Sequence, residues 1–192
     1  MRNRRAGVVF RESMTVIATN VESRDEIQLR VADLYEANRD GVYRALLATG
    51  LDSGKAQEMT QEAFLRFYVV LRDGGVVEHA RAWVYRVAHN LAVDSMARHA
   101  RETGISDAIA DTLPSKGEGA EKDVIEKERR ERFQAALARL STQQRICLEL
   151  RVQGLRYHEI ADVLQIRSST VGEFLRRAIR QLRKSYPCER KP

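Results

Sequence analysis

The stretch 157–184, "YHEIADVLQIRSSTVGEFLRRAIRQLRK", decides how this chain is read. Two runs with helical apolar spacing, "YHEIADVL" and "STVGEFLRRAIRQLRK", flank the short connection "QIRS". Two short helices joined so tightly must cross steeply, which is the helix-turn-helix pattern. A steep crossing needs a small side chain where the helices meet, and Ala161 supplies it. Ile160, Leu164 and Ile166 lie on the first helix and the turn, and Val171 and Leu175 answer from the second at i, i+4. Arg167, Ser169, Thr170, Glu173, Phe174, Arg176, Arg177 and Arg180 are then directed away from that seam and are the candidate DNA contacts. Thr and Arg side chains reach base edges, and Arg180, Arg183 and Lys184 extend the run toward phosphates. A plain helical hairpin with a solvated basic face would share the charge. The alanine, the apolar pairs and the basic second helix together favour DNA. Three residues depart from the pattern. Gln165 stands where such turns often use glycine, and Gly172 costs the second helix about 1 kcal/mol. Glu173 repels phosphate unless it accepts from a cytosine amino group.

Charge is distributed unevenly. Residues 1–23 carry net +2, residues 24–101 net 0, residues 102–126 net −5 and residues 127–192 net +9. Within the neutral block, residues 81–101 hold Arg81, Arg86, Arg98 and Arg101 against Asp94 alone. Basic helices on both halves imply two contacts with one polyanion. At 43% hydrophobic and 31% charged residues the chain can bury a core. No apolar run is long enough to span a membrane, so no membrane insertion is expected. "AGVVF" is too short for a secretory core, which makes the cytoplasm the expected location.

Strand signals are almost absent, so the expected fold is all-α: two small helical domains joined by a flexible acidic linker. Residues 1–23 read as a poorly ordered extension and residues 24–101 as the first domain. Its helices run from about Arg24 to Thr49, from near Lys55 to "RDGG", and through "EHARAWVYRVAHNLAVDSMARHAR", where spacing turns Trp83, Val87, Leu91 and Ala92 inward. Residues 102–126, rich in Gly, Ser and acids, read as the linker. Residues 127–186 form the second, four-helix domain, with Ser141 as an N-cap, Gly154 as a stop and Ser168 or Ser169 capping the last helix. Residues 187–192 are a tail.

"AQEMTQEAFLRFY" and "ARAWVYRVAHNLAVDSMARHAR" resemble the second conserved region of bacterial sigma factors, and residues 133–184 resemble the fourth. The short length and direct linker resemble the extracytoplasmic-function (ECF) sigma factors. The resemblance implies a subunit that binds core RNA polymerase and directs transcription from promoters. The helix-turn-helix residues named above would then read the −35 element. Arg86, His89, Asn90, Asp94 and Arg98, with the preceding loop "RDGGVVEHA", would read the −10 element and hold an unstacked base. Glu58, Gln61, Glu62 and Leu65, at helical spacing, would dock on core polymerase, and the acidic linker would thread its RNA channel. An anti-sigma factor is a further partner the resemblance implies.

The alternative is a LuxR-type helix-turn-helix regulator, since residues 140–171 also resemble that output domain. It requires a receiver or ligand domain upstream, and the N-terminal half lacks the alternating strands of one. Nothing suggests an enzyme or a cofactor: there is no nucleophile–base set and no glycine-rich phosphate loop. His79, His89 and His99 have no accompanying ligands for a metal, and Cys147 and Cys188 read as reduced thiols.

Overall fold

The computed structural model describes residues 23–103 and 123–185. The expected extension, most of the linker and the tail lie outside these residues. Among the described residues every regular element is a helix, as expected: α1 (Arg24–Ala48), α2 (Ser53–Arg72), α3 (Ala80–Thr103), α4 (Asp123–Ala138), α5 (Thr142–Val152), α6 (Tyr157–Leu164) and α7 (Ser168–Ser185).

Three of the helices, α1, α2 and α5, start at a side-chain cap that the sequence offers. The Ser23 hydroxyl accepts from the Glu26 N–H at 3.2 Å, and the Glu26 carboxylate accepts from the Ser23 N–H at 2.6 Å. That bond to the Ser23 backbone holds the Glu26 carboxyl below its usual range. Asp52 caps α2 through the Lys55 N–H, and Ser141 caps α5 in the same reciprocal way as Ser23. α7 differs from expectation. It begins at Ser168, and the Val171 N–H donates to the Arg167 carbonyl, so Arg167 rather than a serine stands at the cap. Glu102 and Thr103 finish α3, and residues 123–126 open α4.

α1, α2 and α3 pack as one unit around Phe64, Phe67, Leu46 and Val84. Tyr35 meets Phe64 edge-on with ring centroids 5.0 Å apart, and Phe67 meets Trp83 at 5.7 Å. The inward stripe of α3 is rotated by one residue from the expected one: Val84, Tyr85, Ala88 and Ala92 are buried, while Trp83, Val87 and Leu91 are half-buried. The rotation has a cause. α3 packs not only on α1 and α2 but also on α6, so it is covered on two sides.

α4 to α7 form the second unit. Ile160, Ala161, Leu164, Val171 and Leu175 are all buried where α6 and α7 cross. The two units meet along a seam, with α1 against α5 and α3 against α6, and their apolar interiors form one continuous cluster.

Candidate nucleic-acid interface

The turn between α6 and α7 is built by a residue that pays for its position. Gln165 takes φ 54°, ψ 42°, the left-handed conformation that favours glycine. The Ile166 N–H closes back on the Ala161 carbonyl at 3.0 Å, and the Ile166 side chain packs on the core. Gly154 ends α5 with the same closure, Leu155 N–H to Leu150 carbonyl, at φ 85°. One backbone device thus terminates two successive helices, once with glycine and once without it.

On α7, Val171, Leu175 and Ala178 are buried, which turns Arg176, Arg177, Arg180, Arg183 and Lys184 to solvent. Arg167 and Ser169 are exposed at the helix start. Thr170 is half-buried, and Phe174 packs against the core rather than standing with the exposed set. Glu173 is not an isolated acid. Its carboxylate accepts from Arg176 and lies 4.0 Å from Arg177 Nε. The bond from Arg176 holds the Glu173 carboxyl below its usual range. Arg176 is therefore tethered within the helix, whereas no ion pair is recorded for Arg180 among the described residues.

α3 presents a second outward row. Arg86, Asn90, Asp94 and Arg98 are exposed at i, i+4 spacing. Arg98 Nε lies 3.4 Å from the Asp94 carbonyl, so the helix's own backbone holds it rather than the Asp94 side chain. His89 does not belong to this row. It is half-buried in the seam, in a cavity walled by Leu46, Tyr85, Ile146, Leu150 and Val163 with only about 10 Å³ of free space. Burial pushes its imidazole pKa down.

The loop before α3 is shaped by two glycines. Gly74 has φ 81°, and a Cβ on Gly75 would stand 2.8 Å from the Val70 carbonyl oxygen. The loop buries Val77 and leaves Val76 89% exposed. An apolar side chain so exposed at the lip of a basic row is a candidate apolar contact. Val76, Val77, His79, Trp83 and Arg86 line one side of an open groove of about 560 Å³; His158, Glu159 and Asp162 of α6 line the other.

The outer face of α2 carries Glu58 and Gln61, both exposed, and Leu65, 56% exposed. Glu62 shares that face and pairs with Arg66 at 2.7 Å. Met59, Ala63 and Phe67 occupy the buried face.

Sequence reasoning missed the seam's polar side. Arg44 Nε on α1 meets Glu149 Oε1 on α5 at 3.1 Å, and Gln153 donates to the same oxygen at 2.7 Å. Arg81 approaches the α5–α6 turn, within 3.7 Å of where a Gly154 Cβ would stand. One signal was available. Gly41 lies inside a long helix, which marks a close approach. A Cβ there would overlap the Tyr85 hydroxyl and stand 2.6 Å from Gln153 Oε1.

Two family models match the chain: Sigma-70 region 2 over residues 34–102 and Sigma-70, region 4 over residues 130–182. The ECF RNA polymerase sigma factor SigK of Mycobacterium tuberculosis is 32% identical over 165 residues, 81% of this chain and 85% of that protein. This chain belongs to the ECF sigma factors. SigM of Bacillus subtilis, another ECF sigma factor, is 25% identical over 161 residues, 82% of this chain and 96% of that protein. The fold is shared with the sigma factor RpoE of Bartonella quintana, solved with the anti-sigma factor NepR (TM-score 0.58, 18% identity, 87% of this chain and 98% of that one). It is shared also with CnrH, solved with the cytosolic domain of CnrY (TM-score 0.52, 19% identity, 90% and 94%). The ECF sigma factor thus has both family regions. A LuxR-type output domain, the alternative, accounts for only the second. No described helix is long and apolar enough to cross a membrane.

Proposed function

We propose that this ECF sigma factor grips promoter DNA at two points while held on core RNA polymerase. The observation that carries the reading is the α7 face: buried Val171, Leu175 and Ala178 anchor a helix whose opposite side is a row of solvated arginines. Arg167, Ser169, Arg177 and Arg180 enter the −35 major groove, with Thr170 and the Glu173–Arg176 pair beside them. The pair lets Glu173 meet a cytosine amino group without presenting bare negative charge to phosphate. Arg86, Asn90 and Arg98, with Val76 and the loop before α3, engage the −10 element as the strands part. Asp94 lies within that row, and His89 joins it only if the seam opens. Glu58, Gln61, Glu62 and Leu65 dock on core polymerase, Leu65 giving the apolar centre of a polar face.

Residues 24–101 then form the polymerase and −10 domain and residues 127–186 the −35 domain. The role is binding and presentation of DNA, with no bond made or broken by the chain itself. RpoE is solved with the anti-sigma factor NepR, which supports a partner of that kind here. Reconstitution with core polymerase on a genomic template library tests the reading. Promoter-selective transcripts are expected, with footprints over both elements. Transcription no more selective than core alone would refute it.

A further inference from the structure

We propose that Gly172 is a specificity-determining position: its missing side chain leaves a notch on the flank of α7 that admits the 5-methyl group of a thymine in the −35 element. The inference rests on the promoter-binding reading above and names one base feature that the site selects.

The first observation is that the fold itself does not ask for a glycine there. Gly172 lies inside α7, where glycine lowers helix stability. Gly74 and Gly154 hold left-handed backbone, at φ 81° and 85°, but Gly172 is not among the positive-φ glycines. Packing does not require it either. Gly75 has the Val70 carbonyl oxygen 2.8 Å from its Cβ position, whereas a Cβ on Gly172 would meet only Tyr157 Cε2 among the described residues, at an ordinary 3.8 Å. A helix-interior glycine that neither backbone nor packing needs marks close approach by something outside the chain.

The second observation is where the notch opens. Gly172 lines the N-terminal end of an open groove of about 610 Å³ that runs along α7. Tyr157 and Ile179 give that groove apolar surface, 47% and 43% exposed, and Arg176, Arg180 and Arg183 give it positive charge. The charge suits DNA, and the same arginines belong to the row that faces the −35 duplex.

The third is that the walls of the notch are held in place. Arg151 lies over the Tyr157 ring, 5.8 Å from its centroid, and donates to the Leu155 carbonyl at 3.1 Å. The ring is thus braced with Cε2 toward Gly172. Arg176, one turn further along, would otherwise be free to fold over the gap. Its guanidinium instead donates to the Glu173 carboxylate, and helical spacing puts Glu173 on the far side of Arg176 from Gly172.

The shape and polarity select the occupant. Base edges in the major groove present donors, acceptors and one apolar group, the thymine methyl. A notch bounded by ring carbons and by a glycine whose backbone is engaged in the helix gives donors and acceptors no partner, but it buries a methyl group. Cytosine at the same place leaves it empty.

The test uses holoenzyme and a promoter taken from the template library, with each −35 thymine replaced in turn by deoxyuridine, which lacks only the methyl. At one position the replacement should weaken binding about fourfold, the share of one buried methyl group. Gly172→Ala should bind the thymine duplex more weakly and show no difference between thymine and deoxyuridine at that position, because the new methyl fills the notch. Tyr157→Phe should keep the preference, since ring carbons form the wall, and Tyr157→Ala should lose it. Gly172→Ala should also unfold at higher denaturant, so its weaker binding is not misfolding. A lower midpoint would make the glycine a requirement of the fold and overturn the proposal. So would a Gly172→Ala variant that keeps the parent's thymine-to-deoxyuridine ratio at every position, or a −35 element in which no replacement matters or no thymine occurs. Protection of the −35 element by the parent holoenzyme separates the failures: with it, a flat deoxyuridine series refutes the notch alone, and without it the promoter reading falls and the notch with it.

Discussion

On α7 the guanidinium groups of Arg177 and Arg180 stand in open solvent, anchored from behind by a continuous buried stripe. On α3 the comparable row has a neighbour: Arg86 opens into a groove bounded on its far side by α6, and His89 lies half-buried in the seam behind it. Both helices are basic by sequence and both present an exposed row, yet only the α3 row borders a groove shared with another helix. The difference lies in what packs on the reverse face. α7 rests on its own unit, whereas α3 is shared between two.

The strongest way to break the comparison is to remove what presents α7. Leu175 is 2% exposed and fills the crossing with α6. Leu175→Ala should cost about 2–5 kcal/mol of stability, read from chemical denaturation. A loss below about 1 kcal/mol would mean that α7 is not held by this stripe. Next in size is the exposed side itself. Arg177→Ala should weaken −35 binding by holoenzyme by about 1–3 kcal/mol if the side chain reads a base, and relax selectivity at one position. A uniform loss across sequences with a reduced salt slope would reassign Arg177 to phosphate. Arg86→Ala should weaken −10 engagement by holoenzyme and matter less for the free chain, where Glu159 and Asp162 of α6 face its groove.

A smaller effect tests the turn that sets the angle of presentation. Gln165 and Gly154 close their helices in the same way, but Gln165 does so in the left-handed region, where a side chain is strained by about 1–2 kcal/mol. Gln165→Gly should therefore raise stability, by about 1 kcal/mol after the entropy that glycine loses on folding. A drop in stability would show that the Gln165 side chain has a stabilising role that outweighs its backbone strain.

These residues also show what the sequence made legible. The helix-turn-helix was readable because its signals are local: Ala161, the i, i+4 pair Val171 and Leu175, and a turn of fixed length. Gln165 was noted as out of place, and its positive φ explains why. The outer face of α2 was readable for the same reason, since its polar side chains recur at helical spacing. The inward face of α3 was not, because periodicity reports one buried stripe and α3 has two neighbours. Nor could spacing find Arg44 opposite Glu149, which are 105 residues apart in the chain. Gly41 alone carried a trace of that contact, as a glycine where a helix does not need one. Tertiary packing between units leaves few local marks, so the seam had to come from the structure.

The smallest expected effect is also the most specific to the seam. Burial lowers the His89 pKa, so folding disfavours its protonated form. The stability it supports is fully present above the unfolded value of about 6.5 and declines as pH falls from there toward the lowered folded value. The charged or titratable groups around it are few: among the residues lining its cavity, only Tyr85 titrates, and burial drives that hydroxyl's pKa up and away from this range. Acidification from pH 8 to 5.5 should thus favour opening, seen as a longer distance between labels on α1 and α4. His89→Gln should flatten the response, because glutamine cannot take up the proton. A parent response that survives His89→Gln unchanged would place the titrating group elsewhere. No response in the parent would mean that the protonated imidazole reaches water without parting the units, leaving the α3 row beside α6 at every pH while α7 stays open.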